Sequence, residues 1–176
     1  MGEHLDNGLS EHQQALALLG GVLLTLQSAE QIVKLCMTYV FPKECNPTLE
    51  QIEAQKSEEA KKTLGYFLGQ LRKRAAIDSA FDETLREFLL LRNQFIHNLN
   101  TVQGFGFDTP EEIAVVVSYT GRLFTLAREV HGVFLGAARA WQDQVGINTD
   151  LPDHEFFEHI DLVYKPLAGT LLVPKK

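Results

Sequence analysis

The stretch "LLLRNQFIHNL", residues 89–99, sets Arg92, Asn93 and His97 among leucines, a phenylalanine and an isoleucine. A guanidinium grips a phosphate or a carboxylate, an imidazole moves protons near neutral pH, and an amide orients either one. Read as a helix at about 100° per residue from Leu85, the segment has one apolar arc from about 240° to about 40°. Leu91, Phe95, Phe88, Leu99, Leu85, Ile96 and Leu89 fill it. Arg92 falls near its middle, at about 340°. An unpaired charge buried there would cost several kcal/mol, so Arg92 must face a carboxylate, a phosphate or a water-filled cleft.

Beside the arc runs a polar row of Asp82, Asn100, Asn93, Arg86 and His97, between about 60° and about 120° on the same wheel. Asn93 and His97 are one turn apart and can touch or share a ligand. Arg92 and His97 stand about 140° apart, so they cannot act as an i, i+4 pair of metal ligands. Both can line one groove from opposite edges, which suits phosphate binding with proton transfer better than metal binding; no cofactor is expected. Arg86 and Asn100 are the candidates for holding a substrate beside that centre. The competing reading is structural. Arg92 could pair with Glu30, Glu59 or Glu129 on another helix, and His97 could be an ordinary histidine near a helix C-terminus.

The elements that must position these groups are helical. Ser10 and Gln13 form a capping box, and an apolar pattern follows until Pro42. Gly20 and Gly21 in its middle suggest a kink or a close neighbouring backbone. Thr48 and Gln51 open a second helix that runs to about Ala76, with a break near Ser57; Gly65 and Gly69 there invite close helix packing. Asp78 or Ser79 caps the third helix, which ends near Asn100. After a turn in "TVQGFGFD", Thr109-Pro110-Glu111-Glu112 starts a long helix over about 113–145. Its apolar residues fall in two rows. One runs from Ile113 and Val117 through Phe124, Phe134 and Ala138 to Val145, the other from Val116 through Leu123, Val130 and Val133 to Ala137. The expected architecture is all-α, an antiparallel bundle of four to five helices. One domain covers residues 1–176, with its core at about 10–146; loop, a short helix and an extended tail fill 147–176.

Composition narrows the classes further. A net charge of −7 argues against a broad basic face for nucleic acid, although a few local arginines can still hold phosphate. Cys36 and Cys45 fit neither a disulfide framework nor a zinc site and read as reduced thiols. No secretory leader precedes the first helix, and the apolar run 15–26 is short for a bilayer span of roughly 20 residues. A soluble cytoplasmic protein without membrane contact is expected.

Four other features compete for attention. The GFG of residues 104–106 reads as a turn with aromatic anchors, not as a phosphate cradle. "HEFFEH" at 154–159 places its histidines five apart, where a zinc protease needs four, and reads as an acidic surface helix. His131 sits on the apolar seam of the last long helix, either as a core histidine or as a second wall of the same cleft. "RKR" at 72–74 is the densest basic spot, either a solvated helix end or an RNA-guiding patch.

The form Arg-Asn-x-x-x-His of "RNQFIH", late in the third helix of a bundle, resembles the signature of the HEPN (higher eukaryotes and prokaryotes nucleotide-binding) superfamily. The likeness spans roughly residues 10–145. It implies a helical bundle that usually forms a homodimer, with two copies of the motif across one cleft. It also implies a metal-independent endoribonuclease of a prokaryotic defence, toxin–antitoxin or stress-response system. Carried over, Arg92 would hold the scissile phosphate, His97 would be the acid/base, and Asn93 would orient His97 or the phosphate. RNA would be the substrate, a 2′,3′-cyclic phosphate the product, and an antitoxin or regulatory protein a further partner. One toxin subgroup has tyrosine two residues after the histidine, modified by a nucleotidyltransferase antitoxin; Leu99 stands there in this chain. Other members resembling this pattern are inactive modules that bind nucleotide, RNA or protein.

Overall fold

Ser10 begins the first helix by reciprocal capping: its hydroxyl accepts from the Gln13 backbone N–H at 3.3 Å, and the Gln13 side chain accepts from the Ser10 N–H at 2.9 Å. The computed structural model describes residues 10–44, 47–147 and 154–175. Helix α1, Glu11–Tyr39, buries Ala15, Val22, Leu26, Ala29, Val33, Cys36 and Met37 along one stripe. It runs unbroken through Gly20 and Gly21. A Cβ on either glycine would meet nothing within 4 Å, so the expected close neighbour is not there. By length and composition α1 could also cross a membrane, a test that the core helix of a soluble protein passes too.

The break expected near Ser57 comes a few residues later, at 60–63, and divides the stretch into two helices. Thr48 and Gln51 cap α2, Leu49–Glu59. Thr63 then recaps the chain by accepting from the Tyr66 N–H, and α3 runs Leu64–Arg74. A hydroxyl free to cap offers the backbone an alternative to continuing the helix, and here that local option wins. A Cβ on Gly65 would meet the Leu89 and Thr63 side chains at ordinary distance and one on Gly69 would meet nothing, so this pair does not admit a close helix. Asp78 caps α4, Ser79–His97, by accepting from the Ala80 and Phe81 N–H groups at 2.9 and 3.2 Å. Thr109 caps α5, Pro110–Val145, which ends on Gly146 in the left-handed region at φ 73°.

Helices α1 and α5 form the centre, and they run parallel. His12 lies edge-on to Phe107 just before α5, the Cys36 thiol donates to the Phe134 carbonyl, and Tyr39 packs on Trp141. Contacts thus advance together along both chains. The antiparallel arrangement holds for α4 against α5, where Glu87 meets Arg122 and the Leu91 carbonyl meets Tyr119. It also holds for α3 against α4. The cause of the parallel pair is the path of the chain, which places α4 between α1 and α5 in sequence.

The C-terminal region is more ordered than a tail. Helix α6, His154–His159, passes through a π-helical turn at Ile160–Tyr164 into α7, Lys165–Leu171. Strand β2, Leu172–Pro174, then pairs antiparallel with β1, Ala75–Ile77, matching Ala76 with Val173. Three-residue strands are too short to show alternation in sequence. The close-approach glycines are in α5. A Cβ on Gly132 would overlap the Tyr164 ring, and one on Gly136 would overlap the Tyr164 carbonyl group. An ion pair between Arg139 and Asp161, with contacts at 2.8 and 3.1 Å, fastens the same region.

Candidate functional site

Arg92 does not open onto a wet crevice. Its Nε donates to Oε1 of Glu30 on α1 at 2.6 Å, and its Nη2 reaches the same oxygen at 2.5 Å. The third nitrogen, Nη1, donates to the Asn93 side-chain carbonyl at 3.0 Å. The two charged side chains are 16% and 20% exposed, sheltered enough for the pair to be strong but still touched by water. Of the three acids the sequence offered, Glu30 is the partner. A guanidinium in the middle of an apolar arc is therefore accounted for by an internal carboxylate joining α4 to α1.

The other residues of the expected site spread out. Asn93 is exposed apart from its bond to Arg92. His97 is exposed at the last position of α4, and its imidazole makes no hydrogen bond to a described residue. Arg92 is turned toward α1, so no contact joins it to His97. Arg86 is bound to Asp82 at 2.7 Å and Glu83 at 2.6 Å, so it is not a free cation. Asn100 leaves the polar row. The helix stops at His97, Asn98 adopts φ −137°, and Asn100 lies in a 3-10 turn at Leu99–Thr101. A helical wheel drawn past residue 97 places it wrongly.

Comparison with family models, with curated proteins and with solved structures gives no match. The chain's own geometry therefore carries the functional reading.

The basic run "RKR" is largely structural. Arg72 donates to Asp82 at 2.8 Å, while Arg74 reaches the Met37 and Phe41 carbonyls at 3.2 and 2.9 Å. Arg74 thus satisfies backbone acceptors at the C-terminal end of α1, where a cation is favoured. Only Lys73 of the three is exposed. Glu59, another candidate partner for Arg92, is buried instead beside Tyr66, Gln55 and Arg74. The turn after α4 has the expected aromatic anchors, with Phe105 edge-on to both Phe107 and Tyr119. The Tyr119 hydroxyl donates to the Leu91 carbonyl at 2.7 Å and fixes α5 against the motif-bearing turn of α4. Its burial raises its pKa.

Cys36 is buried, and desolvation drives its thiol far above the usual range, which makes it unreactive. Cys45 lies outside the described residues. His131 is half-buried, and desolvation lowers its pKa. It is not a wall of a cleft shared with Arg92. It lines a separate cavity with Thr25, Ser28, Arg128, His159 and Tyr164, to which α4 contributes nothing. Sequence reasoning took His131 and His159 as unrelated. The signal that could have joined them is the Gly132–Gly136 pair, spaced to seat a crossing segment on α5.

Proposed function

We propose that the chain is a HEPN-like helical module that docks a protein partner, first of all a second copy of itself, through the exposed face of α4. The observation that carries this reading is that Glu30 holds two of the three Arg92 nitrogens while Leu90, Ile96 and His97 face outward. Leu90 is 67% exposed, and it shares one stripe with Asn93 and His97, spaced three and four residues apart. Ile96 stands beside them, also exposed. An apolar residue amid uncharged or neutralised polar groups suits a protein surface better than a phosphate backbone, which needs net positive charge. A homodimer, a cytoplasmic setting and the absence of membrane contact belong to this proposal.

The test is light scattering on the wild type and on Leu90→Arg. A dimer reduced to monomer by the substitution supports the module, and a monomeric wild type with no change refutes it.

One observation favours a second reading, the endoribonuclease. The free imidazole of His97 lies one turn from Asn93, as an acid/base group would. That chemistry requires Glu30 to release Arg92 for the scissile phosphate. RNA incubated in EDTA should then be cut to 2′,3′-cyclic phosphate ends, more slowly or not at all by Arg92→Ala and His97→Ala. Intact RNA with all three proteins leaves the docking module as the function.

A further inference from the structure

On the flank of α5 away from α4, a cavity of about 310 Å³ opens between α1, α5 and the C-terminal region. It is near the lower end of the usual range for small-molecule sites. Its walls are of two kinds. Ile160 and the bare backbone of Gly132 make an apolar floor, exposed Leu24 stands at the rim, and Phe156, Tyr164 and His159 present rings, the last two edge-to-face at 5.7 Å between centroids. Arg128, His131, His159 and Ser28 supply polar groups around it.

The charge balance is one-sided. Arg128 lies over the Phe124 ring at 5.7 Å, and no described carboxylate pairs with it. The partly buried arginines of the fold, Arg72, Arg74, Arg92 and Arg139, each have an acid, whereas Arg128 stands exposed at the cavity rim without one among the described residues. Among the described residues no aspartate or glutamate lines the cavity. The Thr25 hydroxyl is committed to the Gly21 carbonyl at 2.9 Å, so donors to a ligand come from Ser28, Arg128, Tyr164 and the imidazoles. The cavity is also built around the π-helical turn Ile160–Tyr164. Such widened turns are uncommon and recur at functional sites. Gly132 and Gly136 hold Tyr164 against α5 and so set the depth of the cavity.

We propose that this cavity is a binding site for a small aromatic oxyanion, its flat ring against Phe156, Tyr164 and Leu24 and its phosphate or carboxylate toward Arg128, Ser28 and His131. The site is independent of the α4 face and stands or falls without it.

The test is titration of the full chain, with isotope-labelled histidines, by phenyl phosphate, benzoate, inorganic phosphate and phenol at fixed pH. Ring signals are assigned with His131→Gln and His159→Gln. Phenyl phosphate or benzoate should shift the His131 and His159 signals saturably and leave His97 unmoved, and which of the two binds tighter distinguishes the oxyanion. Inorganic phosphate and phenol, each lacking half of the match, should bind more weakly. Arg128→Gln should weaken the aromatic anion roughly tenfold, as loss of one charge-assisted contact does. Arg128 is exposed, so its replacement leaves the fold intact, which thermal melting checks. No saturable shift with either aromatic anion, or equal binding by Arg128→Gln, overturns the proposal.

Discussion

The Arg92–Glu30 pair can be weighed by a double-mutant cycle. Two charge-assisted hydrogen bonds converge on one carboxylate oxygen, at 2.6 and 2.5 Å, between side chains that are about four-fifths sheltered. Hydrogen bonds to charged groups contribute about 1.5–3 kcal/mol each when lost singly. Because both bonds share one oxygen and water still reaches them, their sum overstates the effect. We expect Arg92→Ala and Glu30→Ala each to cost about 2–3 kcal/mol, since each leaves the other charge half-buried and unpaired. The double variant should cost less than the sum of the singles, by a coupling of about 1–2 kcal/mol. For a domain of this size each kcal/mol lowers Tm by roughly 2–4 °C, so the single variants should melt about 4–12 °C early. Urea unfolding of the four proteins measures the coupling. A value below about 0.5 kcal/mol, the range of exposed surface pairs, would refute the view that Glu30 satisfies Arg92. The guanidinium would then be available to a phosphate after all.

Three further outcomes are expected. Gly136→Ala should destabilise the fold by about 1–3 kcal/mol, because the new methyl meets fixed backbone at Tyr164; Gly20→Ala, with open space around it, should stabilise by about 0.5–1 kcal/mol. Parallel thermal melts of the two variants check the contrast. Burial lowers the pKa of His131, so the unfolded chain binds its proton first as pH falls below about 6.5. Stability should decline there until the folded-state pKa is passed, and His131→Gln should flatten that part of a stability–pH curve. In a Cys45→Ser background, Cys36 should resist alkylation in the native protein and react once urea unfolds it, as mass spectrometry would read.

Local chemistry was the readable part of this chain. Ser10, Thr48, Asp78 and Thr109 each cap a helix with groups no more than three residues away, so the starts of α1, α2, α4 and α5 are visible without tertiary knowledge. The two apolar rows of α5 were also legible, but not their fates. The row through Val116, Leu123, Val130 and Val133 is fully buried, whereas Val117 and Val145 of the other row are exposed. Only the middle of that second row is covered, by elements that lie far away in sequence. The demand for an acid at Arg92 could be deduced from its place among leucines. Choosing Glu30 over Glu59 required knowing that α1 lies beside α4. The parallel course of α1 and α5 was hidden for the same reason: periodicity tells which face is covered and says nothing about direction. The site expectation erred where it extended helical geometry to Asn100 and where it left Arg86 free although Asp82 stood in the same polar row.

The parallel pairing of the two longest helices also bears on synthesis. Ninety-eight residues separate the Cys36 thiol from the carbonyl that receives it. At roughly 5–20 residues per second, a ribosome needs on the order of 5–20 s to supply the missing half of that contact. Throughout that interval the greasy stripe of α1 has emerged without α5, the larger part of its permanent cover. A nascent chain of this kind depends on holding chaperones or on provisional collapse, and its vulnerable period is set by translation speed before α5 emerges.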